Sequence, residues 1–151
     1  MTLYLVQHGQ SLAKEIDPNR ALSSEGRKEI VKVAKFASNE GIKISNIYHS
    51  GKLRASQTAE LFSENLKVDN IEELNGLSPL DDAKSFVDTF HFADKSMIIG
   101  HLPFMNHLTS LLITGDQDKS VIQFQNAGII CLDQDETNHW FIKWTIMPVI
   151  D

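Results

Sequence analysis

Two histidines occupy the same kind of place in this chain. His8 follows the apolar run Leu3-Tyr4-Leu5-Val6 and Gln7 and precedes Gly9, while His101 follows Met97-Ile98-Ile99 and Gly100. Short apolar runs bounded by glycine read as strands buried on both faces of a parallel sheet. Ligands of open α/β sheets bind beyond the carboxyl ends of the strands. If both runs are parallel members of one sheet, the two imidazoles emerge at the same end. Arg54, four residues after Ser50 and at the start of the next helix, lands there too. Two imidazoles, a guanidinium and several helix N-termini make a setting for a tetrahedral oxyanion. Phosphoryl transfer needs little beyond this: a placed nucleophile and positive donors around the equatorial oxygens. Ser11, in the turn after His8, is a further candidate phosphate donor. Each residue alone has a plainer reading, as a capping histidine, a solvated arginine or a turn serine; the coincidence of three strand-end positions outweighs those.

The elements that must position these residues follow from the pattern. After the first strand, residues 13–21 are polar, contain Asp17-Pro18-Asn19 and read as a loop. Leu22-Ser23-Ser24-Glu25-Gly26 opens a helix with a serine N-cap, Ile30, Val33, Ala34 and Ala37 form its apolar stripe, and Gly41 ends it. A second strand is expected at 46–49, a helix at about 53–65, and a third strand at 68–74. A helix at about 82–92, a fourth strand at 97–99 and a helix at about 104–114 follow. The last third reads as a hairpin of strands 128–132 and 139–146 around an acidic turn. Alternation of strand and helix predicts a three-layer α/β/α sandwich with a mostly parallel sheet, the hairpin adding an antiparallel edge strand. No linker or repeat divides the chain, so residues 1–151 read as one domain.

Composition narrows the function. The 151 residues carry a net charge of -6, with 42% hydrophobic and 23% charged residues, which is ordinary for a soluble globular domain. The acidic balance argues against nucleic acid and anionic membrane as partners, and no apolar run reaches the length needed to span a bilayer. Trp140, Phe141 and Trp144 accordingly read as edge-strand packing rather than a base-stacking platform. No basic leader precedes a long apolar stretch, and the single cysteine, Cys131, cannot form an internal disulfide, so a cytoplasmic protein is expected. Cys131 sits in an apolar run followed by acidic residues and reads as a small buried hydrophobe. His49, His91, His107 and His139 lack companions at metal-ligand spacing, so neither a metal nor another cofactor is expected.

The blocks that carry this pattern resemble those of a known family. Gln7-His8-Gly9 is similar to the Arg-His-Gly signature of the histidine phosphatase superfamily, also called the phosphoglycerate-mutase-like fold. Ser50-Gly51-Lys52-Leu53-Arg54-Ala55-Ser56-Gln57-Thr58-Ala59 resembles its Ser-x-x-x-Arg-Ala-x-Gln-Thr-Ala block. Ile98-Ile99-Gly100-His101 resembles its strand ending in Gly-His, and Asn126-Ala127-Gly128 its closing strand. Short length and the phrase Leu22-Ser23-Ser24-Glu25-Gly26-Arg27 resemble the SixA-like phosphohistidine phosphatase branch, which lacks the lid-forming insertions of larger members. The resemblance implies His8 as nucleophile through a phosphohistidine intermediate, Arg54 as phosphate clamp and His101 as transition-state donor. It also implies a monomer whose substrate is a phosphorylated histidine on a partner protein.

Two departures from the family pattern bear on mechanism. Gln7 replaces arginine: its amide still donates to a phosphate oxygen, but without full charge or a bidentate fork. A charge-assisted bond contributes about 1.5–3 kcal/mol against about 0.5–1.5 for a neutral one, so a loss on the order of one decade in rate or affinity is expected. The second concerns a general acid. Asp81 and Asp82 are the candidates after Pro79, although an N-cap and first-turn acid for the following helix is the simpler reading. A weak acid signal favours a phosphoramidate substrate, because imidazole leaves more readily than an alkoxide. Two other readings stay open on the sequence: a small-molecule phosphomonoesterase, and a module that binds phosphate or phosphohistidine without turnover.

Overall fold

Six strands and four helices account for the apolar pattern over residues 1–150, the residues described by the computed structural model. In chain order they are β1 (Thr2–Gln7), α1 (Ser24–Asn39), β2 (Asn46–His49), α2 (Leu53–Leu66) and β3 (Ile71–Glu73). Then come α3 (Ala83–Thr89), β4 (Ser96–Gly100), α4 (Phe104–Thr114), β5 (Ile129–Gln134) and β6 (Trp140–Ile146). One sheet holds all six strands in the order β3-β2-β4-β1-β5-β6. The strands β1 to β4 run parallel, β5 pairs antiparallel with β1, and β6 pairs antiparallel with β5. The edge strand thus joins through an antiparallel pairing, as expected, while the one strand running against the others, β5, lies inside the sheet.

The period of two along β1 divides the core. Tyr4 and Val6 point to the face covered by α1 and α2, with Ile30, Val33, Ala59 and Phe62. Leu3 and Leu5 point to the face covered by α3 and α4, with Phe86, Phe104, Met105 and Leu108. β1 and β4 are buried on both faces because helices cover both, which is why they read as continuous apolar runs. The fold is the expected three-layer α/β/α sandwich. Trp140 packs in one core layer and Trp144 against the other, while Phe141 is exposed.

Boundaries shift where local hydrogen bonding overrides the apolar pattern. The third strand is shorter than expected and exposed, because Val68 is taken into the turn that ends α2, its N–H donating to the Ser63 carbonyl. Helix α3 stops at Thr89 rather than near 92, since Phe90 leaves in an extended conformation to stack on Phe86.

The turn after β1 is clamped from both flanking helices. The Gly9 N–H donates to the Thr58 hydroxyl of α2 at 3.0 Å, and the Leu22 N–H donates to the Gln57 side-chain oxygen at 2.8 Å. Ser23 caps α1, its hydroxyl accepting from the Gly26 N–H, while its own N–H donates to the Gln10 carbonyl. A Cβ at Gly26 would run into that carbonyl. Replacing glycine by alanine within a helix ordinarily stabilises by roughly 0.5–1 kcal/mol. At Gly26→Ala we expect the opposite sign, a loss of about 1–3 kcal/mol from overpacking, read as a lower Tm by thermal unfolding.

Candidate active site

Parallel pairing of β1 with β4 sets Val6 against Ile99 and Gln7 against Gly100, so the next residues on each strand, His8 and His101, leave the sheet side by side. The His8 N–H continues the ladder by donating to the Gly100 carbonyl at 3.0 Å. The two imidazole rings lie 4.9 Å apart between centroids. Together with Gln7, Gln10, Ser11, Arg20, Arg54, Pro79, Leu102 and Asn126 they line a cavity of about 480 Å³. Sequence reasoning had placed His8, Arg54, His101, Gln7 and Ser11 at one site, and the structure brings all five to this cavity.

The nitrogens of His8 have distinct roles. Nδ1 lies 2.6 Å from the Gly9 carbonyl, which can only accept, so Nδ1 carries the proton and Nε2 holds a lone pair. The Arg54 Nε–H donates toward that Nε2 at 3.4 Å, in keeping with this assignment. Burial pushes the His8 pKa down to about 4, opposed by the Gly9 carbonyl and helped by Arg54 and Arg20. Asn126 donates from Nδ2 to the His8 carbonyl at 2.9 Å, tying the closing segment of the chain to the first strand. His101 is more deeply buried. Its Nε2 lies 2.6 Å from the Ser50 hydroxyl, and its pKa falls to about 3 through burial first, then the proximity of His8, Arg54, Lys52 and Arg20.

Arg20 is the residue that sequence reasoning missed. It sits in the polar loop after β1, where nothing in its type or spacing distinguishes it from a surface charge. Asp17 builds that loop: its carboxylate accepts from the N–H groups of Asn19 and Ala21, and its carbonyl accepts from the Arg20 N–H. Arg20 is thereby held at φ 51, in the left-handed region. Its Nη2 donates to the Ser11 hydroxyl at 3.1 Å, and its Nε is buried with no partner among the described residues. The available signal was the Asp17-Pro18-Asn19 turn, whose side-chain-to-backbone bonds fix the course of the next residues.

Asp81 and Asp82 take other positions. The Asp82 carboxylate caps α3, accepting from the N–H groups of Lys84 and Ser85 and from the Ser85 hydroxyl, and the last of these leads in holding its pKa below the ordinary carboxylate value. The Asp81 carboxylate accepts from the Ser78 N–H at 2.8 Å. Neither lines the cavity, and among the described residues no carboxylate does. Cys131 is buried in β5, where burial raises its thiol to about 12 and leaves it inert. Among the described residues no cluster of three histidine, cysteine or acidic side chains is arranged to hold a metal, and no helix is long and apolar enough to cross a membrane.

A neutral lone pair beside the Arg54 guanidinium, in a cavity that Arg20 also lines and that holds no carboxylate among the described residues, is arranged to attack an anion. The same arrangement makes folding sensitive to acid. Unfolded histidine takes up a proton near 6.5, whereas folded His8 resists protonation down to about 4. Between those values the unfolded chain binds more protons, so stability is lost as pH falls from about 6.5 towards 4. Replacing His8 by asparagine should shrink this loss, read as a smaller drop in Tm between pH 7 and pH 5 than in the native chain.

Comparisons with known proteins place this fold in a family. The family model described as histidine phosphatase superfamily (branch 1) matches residues 3–81, just over half of the chain. The phosphohistidine phosphatase SixA of Escherichia coli (strain K12) is 24% identical over 155 residues, covering 98% of this chain and 94% of that protein. The solved structure of the protein histidine phosphatase SixA complexed with tungstate superposes with a TM-score of 0.84 at 23% identity, over 98% of this chain and 97% of that one. A putative alpha-ribazole-5'-P phosphatase from Escherichia coli str. K-12 substr. MG1655 gives 0.74 at 14% identity, over 100% and 99%. At these identities the two structural likenesses speak for the fold alone.

Proposed function

This chain belongs to the histidine phosphatase superfamily and is a phosphatase, and we propose that its substrate is a phosphorylated histidine of a partner protein. The observation that carries the mechanism is the pairing of His8 Nδ1 with the Gly9 carbonyl, which leaves Nε2 as an uncharged nucleophile in a cationic cavity. In this reading Nε2 attacks phosphorus as the N–P bond of the substrate breaks. The leaving imidazole keeps the bonding pair and departs neutral once its other ring nitrogen has taken a proton from solvent. Water then attacks the phosphoryl group on His8, the new N–P bond breaks, and dihydrogen phosphate leaves with both hydrogens of the water.

Arg54, Arg20 and Gln7 hold the equatorial oxygens, Ser11 holds Arg20 in place, and His101 donates to the transition state. Arg20 supplies a full charge at the cavity whose signature position carries the neutral Gln7. This offsets part of the loss expected from glutamine. The tungstate in the SixA complex is itself a tetrahedral oxyanion, which supports an oxyanion site in a chain of this fold.

Two features favour phosphohistidine over a phosphoester. Among the described residues the cavity lining offers no carboxylic acid to protonate an alkoxide, and Asp82 is held ionised in its cap. The rim also suits a protein. Leu102 is 40% exposed beside His101, and Leu80, next to the lining residue Pro79, is 89% exposed. Exposed leucines at the mouth of a charged cavity match a partner that presents its phosphoryl group from an apolar surface. The whole chain is read as one domain acting as a monomer.

Phosphate release should therefore be faster from a phosphohistidine-bearing protein than from an aryl phosphate ester, and absent in His8→Ala with either. Equal or faster release from the ester would favour a small-molecule phosphomonoesterase. Arg20→Ala should lower kcat/KM by about 10–100-fold, the span of one charge-assisted bond. Leu80→Glu should slow turnover of the phosphoprotein while leaving the aryl ester unaffected, measured side by side.

A further inference from the structure

Ser50 opens the second sequence block, yet phosphoryl transfer through His8 gives it no task. It stands at the end of β2, in the turn that leads into α2, and its hydroxyl oxygen lies 2.6 Å from Nε2 of His101. The same oxygen accepts from the Lys52 N–H at 3.3 Å. The other ring nitrogen of His101, Nδ1, is buried and has no partner among the described residues, and the ring lines the cavity.

We propose that Ser50 is a positioning residue that sets the tautomer of His101: its hydroxyl proton goes to Nε2, so the single proton of the neutral ring sits on Nδ1, the nitrogen left for the phosphoryl oxygen. A serine hydroxyl has one proton and two lone pairs. With Lys52 N–H on one lone pair, donation to Nε2 gives the hydroxyl proton its acceptor, whereas accepting from Nε2 would leave that proton without one. In the opposite tautomer Nε2–H donates to Ser50, and Nδ1 becomes a bare lone pair, buried without a donor and turned against the lone pairs of any phosphoryl oxygen. Nδ1 lacks a partner among the described residues in either tautomer before substrate binds, but only a protonated Nδ1 can donate to a phosphoryl oxygen, whereas the bare lone pair repels it. Tautomer choice matters here because burial and the neighbouring cations keep the ring neutral, with only one proton to place.

This role rests on the reading of His101 as a donor to phosphate, and the test separates the two. Nitrogen-15 NMR of the histidine rings reports which nitrogen is protonated, in the free protein and with inorganic phosphate added. The native chain should show His101 protonated at Nδ1, Ser50→Ala should show a mixture of tautomers, and Ser50→Thr should restore the native signal. In turnover of a phosphohistidine-bearing protein, Ser50→Ala should lose about tenfold in kcat/KM, the upper end for one neutral hydrogen bond, and Ser50→Thr should recover most of it. A native chain with its proton on Nε2 overturns the proposal, as does a Ser50→Ala protein with the native signal and rate. Absence of turnover in the native chain would instead overturn the catalytic reading, and the ring signals would still decide the role of Ser50.

Discussion

The site depends on the register between two parallel strands. Because Gln7 pairs with Gly100 across the β1–β4 ladder and the His8 N–H closes on the Gly100 carbonyl, the two imidazoles have no freedom to separate. Slipping the ladder by one residue would turn every side chain of β1 to the wrong face. Leu3 and Leu5 on one face and Tyr4 and Val6 on the other exclude that slip, since each set is buried in its own helix-covered layer. The hydrophobic division of the core and the placement of the two histidines are thus one constraint.

Electrostatics inside the cavity run against those of the whole molecule. The chain carries a net charge of -6, yet the cavity gathers Arg20, Arg54 and two histidines and no carboxylate among the described residues. Burial resolves the like-charge conflict by keeping both imidazoles neutral, and the backbone and hydroxyl partners of each ring decide where its one proton sits. Residues far apart in sequence hold this arrangement: Thr58 fixes the Gly9 turn, Gln57 fixes Leu22, and Asn126 fixes the His8 carbonyl. The Gln57-Thr58 pair of the second block thus serves the turn after β1 as much as its own helix.

Much of this was legible in the sequence, for physical reasons. Central strands covered on both faces read as unbroken apolar runs, so β1 and β4 and the residues just past them could be located, and with them His8 and His101. Arg54 and Ser11 followed from where helices and turns must start. What could not be read depends on contacts between distant segments. Arg20 is placed by the bonds of Asp17 to the following backbone and meets Ser11 only once the loop has closed. The link from Ser50 to His101 joins two strand ends 51 residues apart, and neither residue type announces it. The edge strand β3 was overextended because Val68 is apolar for the sake of a helix-ending turn, not of the sheet.

The central claim is that Nε2 of His8 carries the phosphoryl group between substrate and water. It is tested most directly by mixing the protein rapidly with a phosphohistidine-bearing partner, quenching in alkali, where phosphohistidine survives, and locating the adduct by peptide mass spectrometry and phosphorus NMR. The account predicts one phosphoryl group, on His8 at Nε2, formed and lost within the turnover time and absent from His8→Ala. An adduct on a different residue, or undiminished turnover by His8→Ala, would contradict it.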